Sequence, residues 1–333
     1  MSPHRLALVG AGSMGTNHAR VIAESPRVTL GVVIDADEAR ARHLADQYGA
    51  DAATDVDAAA GCAAVIVASS TPTHPGIAMP LIDRGVPLLV EKPLAVHLAE
   101  VEDMCRAATK KGSVLACGFV ERFGAVVNQG MRLLDDEPIH IVTMRHSPVS
   151  PRIGDSVIYD LLIHDIDLVL RLMGGREVTT VRGTSWQPEG QGVAEIADCT
   201  LQFSNGSLAT MSASRAGQRK LRSVQVFTPT MMLDLDLLRA DLTVYRNVRQ
   251  EVSDISRSLT YRAETIIDIP FVRHTAEPLA LELDHFIDLV EGSADRAAEI
   301  EGLVRPHVVA HQVEDECERS RAGTRPTDPG SPA

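Results

Sequence analysis

Residues 5–15, RLALVGAGSMG, run a short apolar segment directly into glycines spaced G-x-G-x-x-G at Gly10, Gly12 and Gly15. Such glycines occur in many tight turns, so their context decides their meaning. Here the apolar run reads as a strand, the glycines open a helix, and a second strand, VTLGVVI, ends at Asp35. That order is the fingerprint of a dinucleotide-binding βαβ unit. Gly10 permits the tight turn, Gly12 lets the backbone approach a pyrophosphate, and Gly15 lets the helix pack on the strand. Ser13 and Met14 sit at the helix N-terminus, where free N–H groups and partial positive charge face phosphates. Asp35 would accept hydrogen bonds from ribose hydroxyls and repel a 2′-phosphate. Ala36, Asp37 and Glu38 follow it with no adjacent arginine, so NAD is favoured over NADP. Arg40 lies close enough to keep NADP open.

Working outward, residues 1–120 alternate β-rich runs (AAVIVAS, PLLVE, VLACGF) with segments of helical period such as DEARARHLADQYG and LAEVEDMCRAATKKG. Continuous apolar strands alternating with helices predict an α/β domain with a doubly wound parallel sheet. Ligands of such sheets bind outside the carboxyl ends of the strands. Two further loops belong there: one carries Ser69, Thr71 and His74, the other Glu91, Lys92 and Pro93. We place Ser69, Thr71, His74 and Glu91 with the cofactor. A lysine at the end of a buried strand could anchor a hydroxyl or tune a proton transfer, although surface lysines in such loops are common.

After residue 120 the rhythm changes to runs of strand pattern, including AEIADCTLQF and SLATMSAS joined by the hairpin signal SNGS. Residues 121–320 therefore read as an α+β domain with a large, open, mostly antiparallel sheet, closed by the helical segments LALELDHFIDLVEG and IEGLVRPHVVAHQVEDECERS. The Pro/Gly/Ser-rich end, residues 321–333, reads as disordered.

Composition narrows the function classes. The 333 residues exceed what one core usually supports, and 44% hydrophobic with 23% charged residues is ordinary for a globular protein. A formal net charge of −13 argues against a nucleic-acid partner, which needs a basic face. Five cysteines without CxxC spacing predict reduced thiols in a cytoplasmic protein and no structural zinc site. No run approaches the roughly 18 to 20 apolar residues of a membrane span.

One segment resists reading as plain core. YDLLIHDIDLVLRL, residues 159–172, is largely apolar yet holds Asp160, His164, Asp165 and Asp167. At about 100° per residue, Asp160, His164 and Asp167 share one stripe and Asp165 points away. Buried charges cost several kcal/mol, on the order of a whole side chain's burial, unless paired. The stripe therefore lines either a polar cavity or a solvated edge.

Together VGAGSMGTNHAR, TPTHPGIAMPLIDRGVPLLVEKPLA, GFVERF and D160-x-x-x-H164-x-x-D167 resemble the Gfo/Idh/MocA oxidoreductases, over the whole chain except the tail. The resemblance implies an N-terminal Rossmann domain and a second domain whose open sheet often forms homodimers or homotetramers. It implies that Lys92 is the lysine of the EKP motif beside the reacting hydroxyl, that His164 is the acid/base, and that Asp160 orients near it. Leu162 stands where glycine is usual, and Val120 where asparagine is frequent.

The run R145-H-S-P-V-S-P-R152 before the His/Asp helix is similar to that of nucleotide-sugar 3-dehydrogenases acting on UDP-N-acetylglucosamine. Guanidinium groups pair bidentately with diphosphate oxygens, which makes Arg145 and Arg152, with Arg122, candidates for substrate binding. The alternative is that they form surface pairs in an acidic protein. Asp167 would orient the imidazole or bind sugar. The expected chemistry is oxidation of a secondary sugar hydroxyl: His164 takes the proton, Lys92 hydrogen-bonds the oxygen, and the two roles could be exchanged. Free polyols such as inositol, sugar phosphates, ketosugar reduction and a non-catalytic NAD sensor are the competing readings. Asp160, His164 and Asp167 could also ligate a metal, but no further ligand set completes such a site, and none is expected.

Overall fold

The computed structural model describes residues 3–149, 154–188, 190, 192–253 and 259–324. The chain divides into two compact units, Met1–Phe123 with Thr275–Val308, and Gly124–His274 with Val309–Ala333.

In the first unit, β1 (His4–Val9), α1 (Ser13–Glu24), β2 (Val28–Ile34), α2 (Glu38–Tyr48), β3 (Asp51–Ala53), β4 (Ala64–Val67), α3 (His74–Asp83), β5 (Leu88–Val90), α4 (Leu98–Lys111) and β6 (Leu115–Cys117) follow one another. The strands form a six-stranded sheet in the order β3-β2-β1-β4-β5-β6, parallel throughout. This is the doubly wound order whose reversal beside β1 opens a crevice at the strand ends. Both faces are covered, which is why β4 and β5 are buried along their whole lengths and read as unbroken apolar runs.

The second unit begins with α5 (Ala125–Leu133) and β7 (His140–His146). A single π-helical turn, Ile158–Leu162, leads into α6 (Ile163–Leu172). The strands β8 (Val178–Trp186), β9 (Ile196–Phe203), β10 (Leu208–Ser214), β11 (Leu221–Phe227), β12 (Met231–Asp236), β13 (Asp241–Ser253) and β14 (Leu259–Asp268) complete an eight-stranded sheet. Its order is β14-β13-β12-β11-β7-β10-β9-β8, antiparallel except where β10 pairs with β7. The predicted hairpin at SNGS joins β9 to β10. Burial alternates along these strands, as in β9 and β12. One face packs Leu201, Met211, Val226 and Leu233 inward, while the other carries Thr200, Thr210, Gln225 and Asp234.

The chain closes with α7 (Pro278–Glu291) and α8 (Arg296–Thr324). A single cut after residue 120 does not describe this division, because α7 and the first part of α8 return to the first unit. The apolar stripe Leu283, Phe286, Ile287 and Leu289 completes that unit's core with Leu6, Ile22 and Val28. Arg27 adds ion pairs to Asp288 and Glu291, each at 2.8 Å. Helix α8 also runs to Thr324, so residues 321–324, expected in a disordered tail, are helical. The remainder of that tail, 325–333, lies outside the described residues. Among the described residues no helix is long and apolar enough to cross a membrane.

Candidate active site

The crevice of the first unit is built by close backbone approach. Gly10 has φ +100°, and a Cβ there would meet Ala68 O at 2.5 Å and Ser69 N at 2.7 Å. The β1–α1 turn and the loop after β4 are thus in contact. At Gly15 a Cβ would fall 1.9 Å from Gly10 O, so only glycine seats α1 on its own turn. Gly12 is different: a Cβ would meet nothing within 4 Å. Gly12 is the N-cap of α1 and no side chain caps that helix, which leaves the N–H groups of a helix end open. This fits a dinucleotide pyrophosphate.

A cavity of ≈ 630 Å³ lies here, and Gly10, Gly12, Ser13, Met14, Asp35, Arg40, Ser69, Glu91 and Lys92 all line it. Ser70, Thr73, Thr54, Val56 and Ile77 line it too, and none of the five was singled out from the sequence. Asp35 is fixed at the end of β2: its Oδ2 accepts Ala11 N–H at 2.7 Å and its Oδ1 accepts Asp37 N–H at 2.9 Å. Each oxygen keeps lone-pair capacity for a ribose hydroxyl. Arg40, the residue that kept NADP open, lies with its Nε 3.3 Å from Asp37 Oδ2.

Of the residues expected at the cofactor, Thr71 and His74 are placed otherwise. Thr71 is outside the cavity lining, in the short 3₁₀ turn Thr71–Thr73. His74 is 1% exposed, with Nδ1 3.0 Å from Pro93 O and Nε2 3.2 Å from Ser69 O. Burial lowers its pKa, and the ring lies between the two strand-end loops, where a neutral imidazole can donate to one of these two carbonyls. Glu91 reaches the cavity wall, but its carboxylate turns inward. His18 Nε2–H donates to Oε1 at 2.8 Å and Lys92 N–H to Oε2 at 3.3 Å. Its Oε2 also leaves only 2.7 Å to a Cβ built on Gly118.

Lys92 itself is half-buried in the loop after β5. Deeper still, Glu282 of α7 is 2% exposed and neither carboxylate oxygen has a hydrogen-bond partner among the described residues. Burial first, and Glu91 next, push its pKa well above the usual carboxylate range. His307 of α8 is also buried, donating from Nδ1 to Leu303 O at 2.7 Å and accepting Leu94 N–H at Nε2, 3.0 Å away. Burial drives its pKa down to about 4. None of Glu282, His18 and His307 was singled out from the sequence. Only His18 had a legible signal, one helical turn beyond Gly15 on the buried face of α1.

In the second unit the π turn changes the expected stripe. The wider i→i+5 turn covers Ile158–Leu162, so a uniform 100° step does not relate Asp160 to the residues after it. Asp160 and His164 are half-buried. Asp160 Oδ2 lies 3.5 Å from Nη1 of Arg215. Arg215 is 1% exposed and forks onto Glu195, Nε to Oε2 and Nη2 to Oε1, both at 3.0 Å. A strand-end arginine in SASRAG gave no hint of this. Asp167, expected to reach substrate, is only 2% exposed.

The candidate substrate arginines are likewise engaged internally. Arg145 and Asp165 are buried together, Nε and Nη2 donating to Oδ1 at 3.0 and 2.8 Å. Arg122, 6% exposed, pairs with Glu299 at 3.1 Å, donates to Gly302 O at 3.1 Å, and its guanidinium carbon lies 4.7 Å from the centroid of the Phe119 ring. Both guanidinium groups are thus engaged by internal partners. Arg152 lies outside the described residues. Among the described residues no three His, Cys, Asp or Glu side chains are grouped to hold a metal ion.

An open helix N-terminus, an acid at the end of β2 and a lysine after β5 define the cofactor crevice of a dinucleotide-dependent oxidoreductase. Comparison with known proteins agrees. The profile of the GFO/IDH/MocA oxidoreductase family, NAD-binding Rossmann fold, matches residues 4–119, and that of the GFO/IDH/MocA C-terminal domain matches residues 121–231. The chain belongs to this family and is an NAD-dependent oxidoreductase.

Among its relatives, the UDP-N-acetylglucosamine 3-dehydrogenase of Acidithiobacillus ferrooxidans is 28% identical over 320 residues, covering 92% of this chain and 94% of that protein. Myo-inositol dehydrogenase Hyg17 of Streptomyces leeuwenhoekii is 30% identical over 227 residues, 63% of this chain and 69% of that one. The crystallised UDP-N-acetylglucosamine 3-dehydrogenase GnnA from A. ferrooxidans superposes with a TM-score of 0.83 at 26% identity, covering 96% of this chain and 99% of that one.

Proposed function

We propose that this chain oxidises a secondary hydroxyl of a nucleotide sugar, at C3 of UDP-N-acetylglucosamine, with NAD as the acceptor. The observation that carries this reading is the end-to-end similarity to a UDP-N-acetylglucosamine 3-dehydrogenase. Bound NAD supplies the hydride acceptor. His164 takes the hydroxyl proton, and the Lys92 ammonium donates a hydrogen bond to the same oxygen as negative charge develops on it. Arg215, itself locked by Glu195, fixes Asp160 one turn before His164, where its carboxylate orients the imidazole or a sugar hydroxyl.

A second reading, oxidation of a free polyol, is supported by the inositol dehydrogenases among the relatives. It gains weight because Arg145 and Arg122 are paired internally, which leaves Arg152 as the arginine of that run for a diphosphate. The test is NADH formation with UDP-N-acetylglucosamine, other nucleotide sugars, myo-inositol and glucose 6-phosphate. NADH with the UDP-sugar and a 3-keto product is the expected result. Turnover of inositol alone would overturn the substrate assignment.

Cofactor choice rests on Asp35. Its hydrogen bonds to ribose hydroxyls are charge-assisted, each about 1.5–3 kcal/mol. Asp35→Ser is therefore expected to raise the Kd for NAD roughly 10- to 100-fold and to narrow the preference over NADP, measured by titration of both nucleotides. An unchanged Kd would remove Asp35 from cofactor binding.

The uncovered face of the second unit's sheet exposes Met144, Trp186, Leu208 and Ile267. Apolar groups on one sheet face favour burial against another surface, which supports a homodimer or homotetramer formed there.

A further inference from the structure

Lys92 leaves β5 in a loop whose other residues are each held by a buried histidine from a different helix. His18 of α1 donates to the Glu91 carboxylate at 2.8 Å. His74 of α3 sets Nδ1 3.0 Å from Pro93 O. His307 of α8 accepts Leu94 N–H at 3.0 Å. The rings are 1%, 1% and 3% exposed. A buried polar ring is costly unless hydrogen-bonded, and three of them converging on four consecutive residues exceed what a core needs for packing alone.

We propose that His18, His74 and His307 form a clamp that positions Lys92 for the reaction. This rests on the reading that Lys92 hydrogen-bonds the reacting oxygen. A lysine side chain is a flexible four-carbon stem, so the place its ammonium reaches depends on a fixed backbone origin. His307 fixes that origin in one sense only. Leu94 N–H can only donate, so Nε2 must keep its lone pair, and Nδ1–H is committed to Leu303 O at 2.7 Å. The neutral ring thereby bridges one turn of α8 to the lysine loop with a rigid donor–acceptor pair. His74 sets its Nδ1 against Pro93 O on the far side of the lysine, and His18 holds the carboxylate just before it.

Two substitutions separate the clamp from simple core filling. In His307→Gln the amide oxygen takes the place of Nε2 and can still accept Leu94 N–H. In His307→Asn the amide stays beside Leu303 O but ends short of Leu94. A misplacement of about 1 Å at a reacting centre can cost on the order of 10²-fold. His307→Asn is therefore expected to lower kcat with UDP-N-acetylglucosamine roughly 10- to 100-fold while the Kd for NAD stays within about 3-fold. His307→Gln should restore kcat to within about 3-fold of the native value.

Hydrogen exchange at residues 91–97 gives a readout that needs no substrate: it should speed about 10-fold or more in His307→Asn and stay slow in His307→Gln. Should His307→Asn be insoluble, His74→Ala, which frees Pro93 O, carries the same expected losses. Native kcat with slow exchange in these variants would overturn the clamp, as would equal losses in His307→Gln and His307→Asn. Lys92→Ala in the same assay separates the two readings. Native turnover there removes the role of Lys92, whereas an inactive Lys92→Ala beside a fully active His307→Asn removes only the clamp.

Discussion

Lys92→Ala and His164→Ala are each expected to lower kcat by about 10²–10⁴-fold, the range typical for a positioned acid or base, while changing the Kd for NAD by less than about 3-fold. The split follows from where the two side chains stand. Lys92 lines the same cavity, but the backbone at Gly10, Gly12 and Gly15 and the Asp35 carboxylate, which neither substitution touches, would carry the cofactor's phosphates and ribose. In the proposed mechanism Lys92 and His164 instead serve the oxygen that loses a proton during the step, so their contributions would grow in the transition state and register in kcat. If both act on that one oxygen, as proposed, the double variant should be little worse than the poorer single variant, since groups acting as a unit are non-additive. Steady-state kinetics with calorimetric NAD titration would check this. Native turnover in both single variants would remove the mechanism, and a loss confined to Lys92→Ala would make the lysine the proton acceptor.

The parts legible in the sequence are those whose cause is local. Gly10 and Gly15 announce themselves because the backbone conformation or close approach they permit excludes other residues, and Gly12 by its spacing between them. Asp35 is found by its place at a strand end. The parallel sheet is legible because strands buried on both faces leave unbroken apolar runs, and the antiparallel one because a single buried face leaves alternation.

What escaped depends on partners distant in sequence. Arg145 looked like an anion-binding residue until Asp165, on another element, occupied its guanidinium. The Asp160–His164–Asp167 stripe assumed α-helical steps through a segment that makes a π turn. Helix α7 and the start of α8 look like the close of the second domain because chain order is the default guide to neighbourhood, yet Phe286 and Ile287 complete the first unit's core. His307 reaches Leu94 across more than half the chain, and a lone histidine on an apolar helix carries no mark of that.

The Arg145–Asp165 pair gives the second large expectation. Asp165→Ala should destabilise the protein by about 3–5 kcal/mol, because removing one partner of a buried ion pair leaves the other charge uncompensated. The residues are 2% and 1% exposed, so solvent offers little screening. At roughly 2–4 °C per kcal/mol for a domain of this size, thermal unfolding should fall by about ten degrees. The control is the double variant Arg145→Met with Asp165→Leu: apolar replacement of both members of a buried pair is often neutral or stabilising, so it should recover most of the loss. That recovery would establish Arg145 as a structural cation and shift diphosphate recognition to Arg152 or elsewhere. If Arg145→Met instead keeps the native unfolding temperature and raises only the KM for a UDP-sugar, the guanidinium is a substrate contact after all, and Asp165 is the group that aims it.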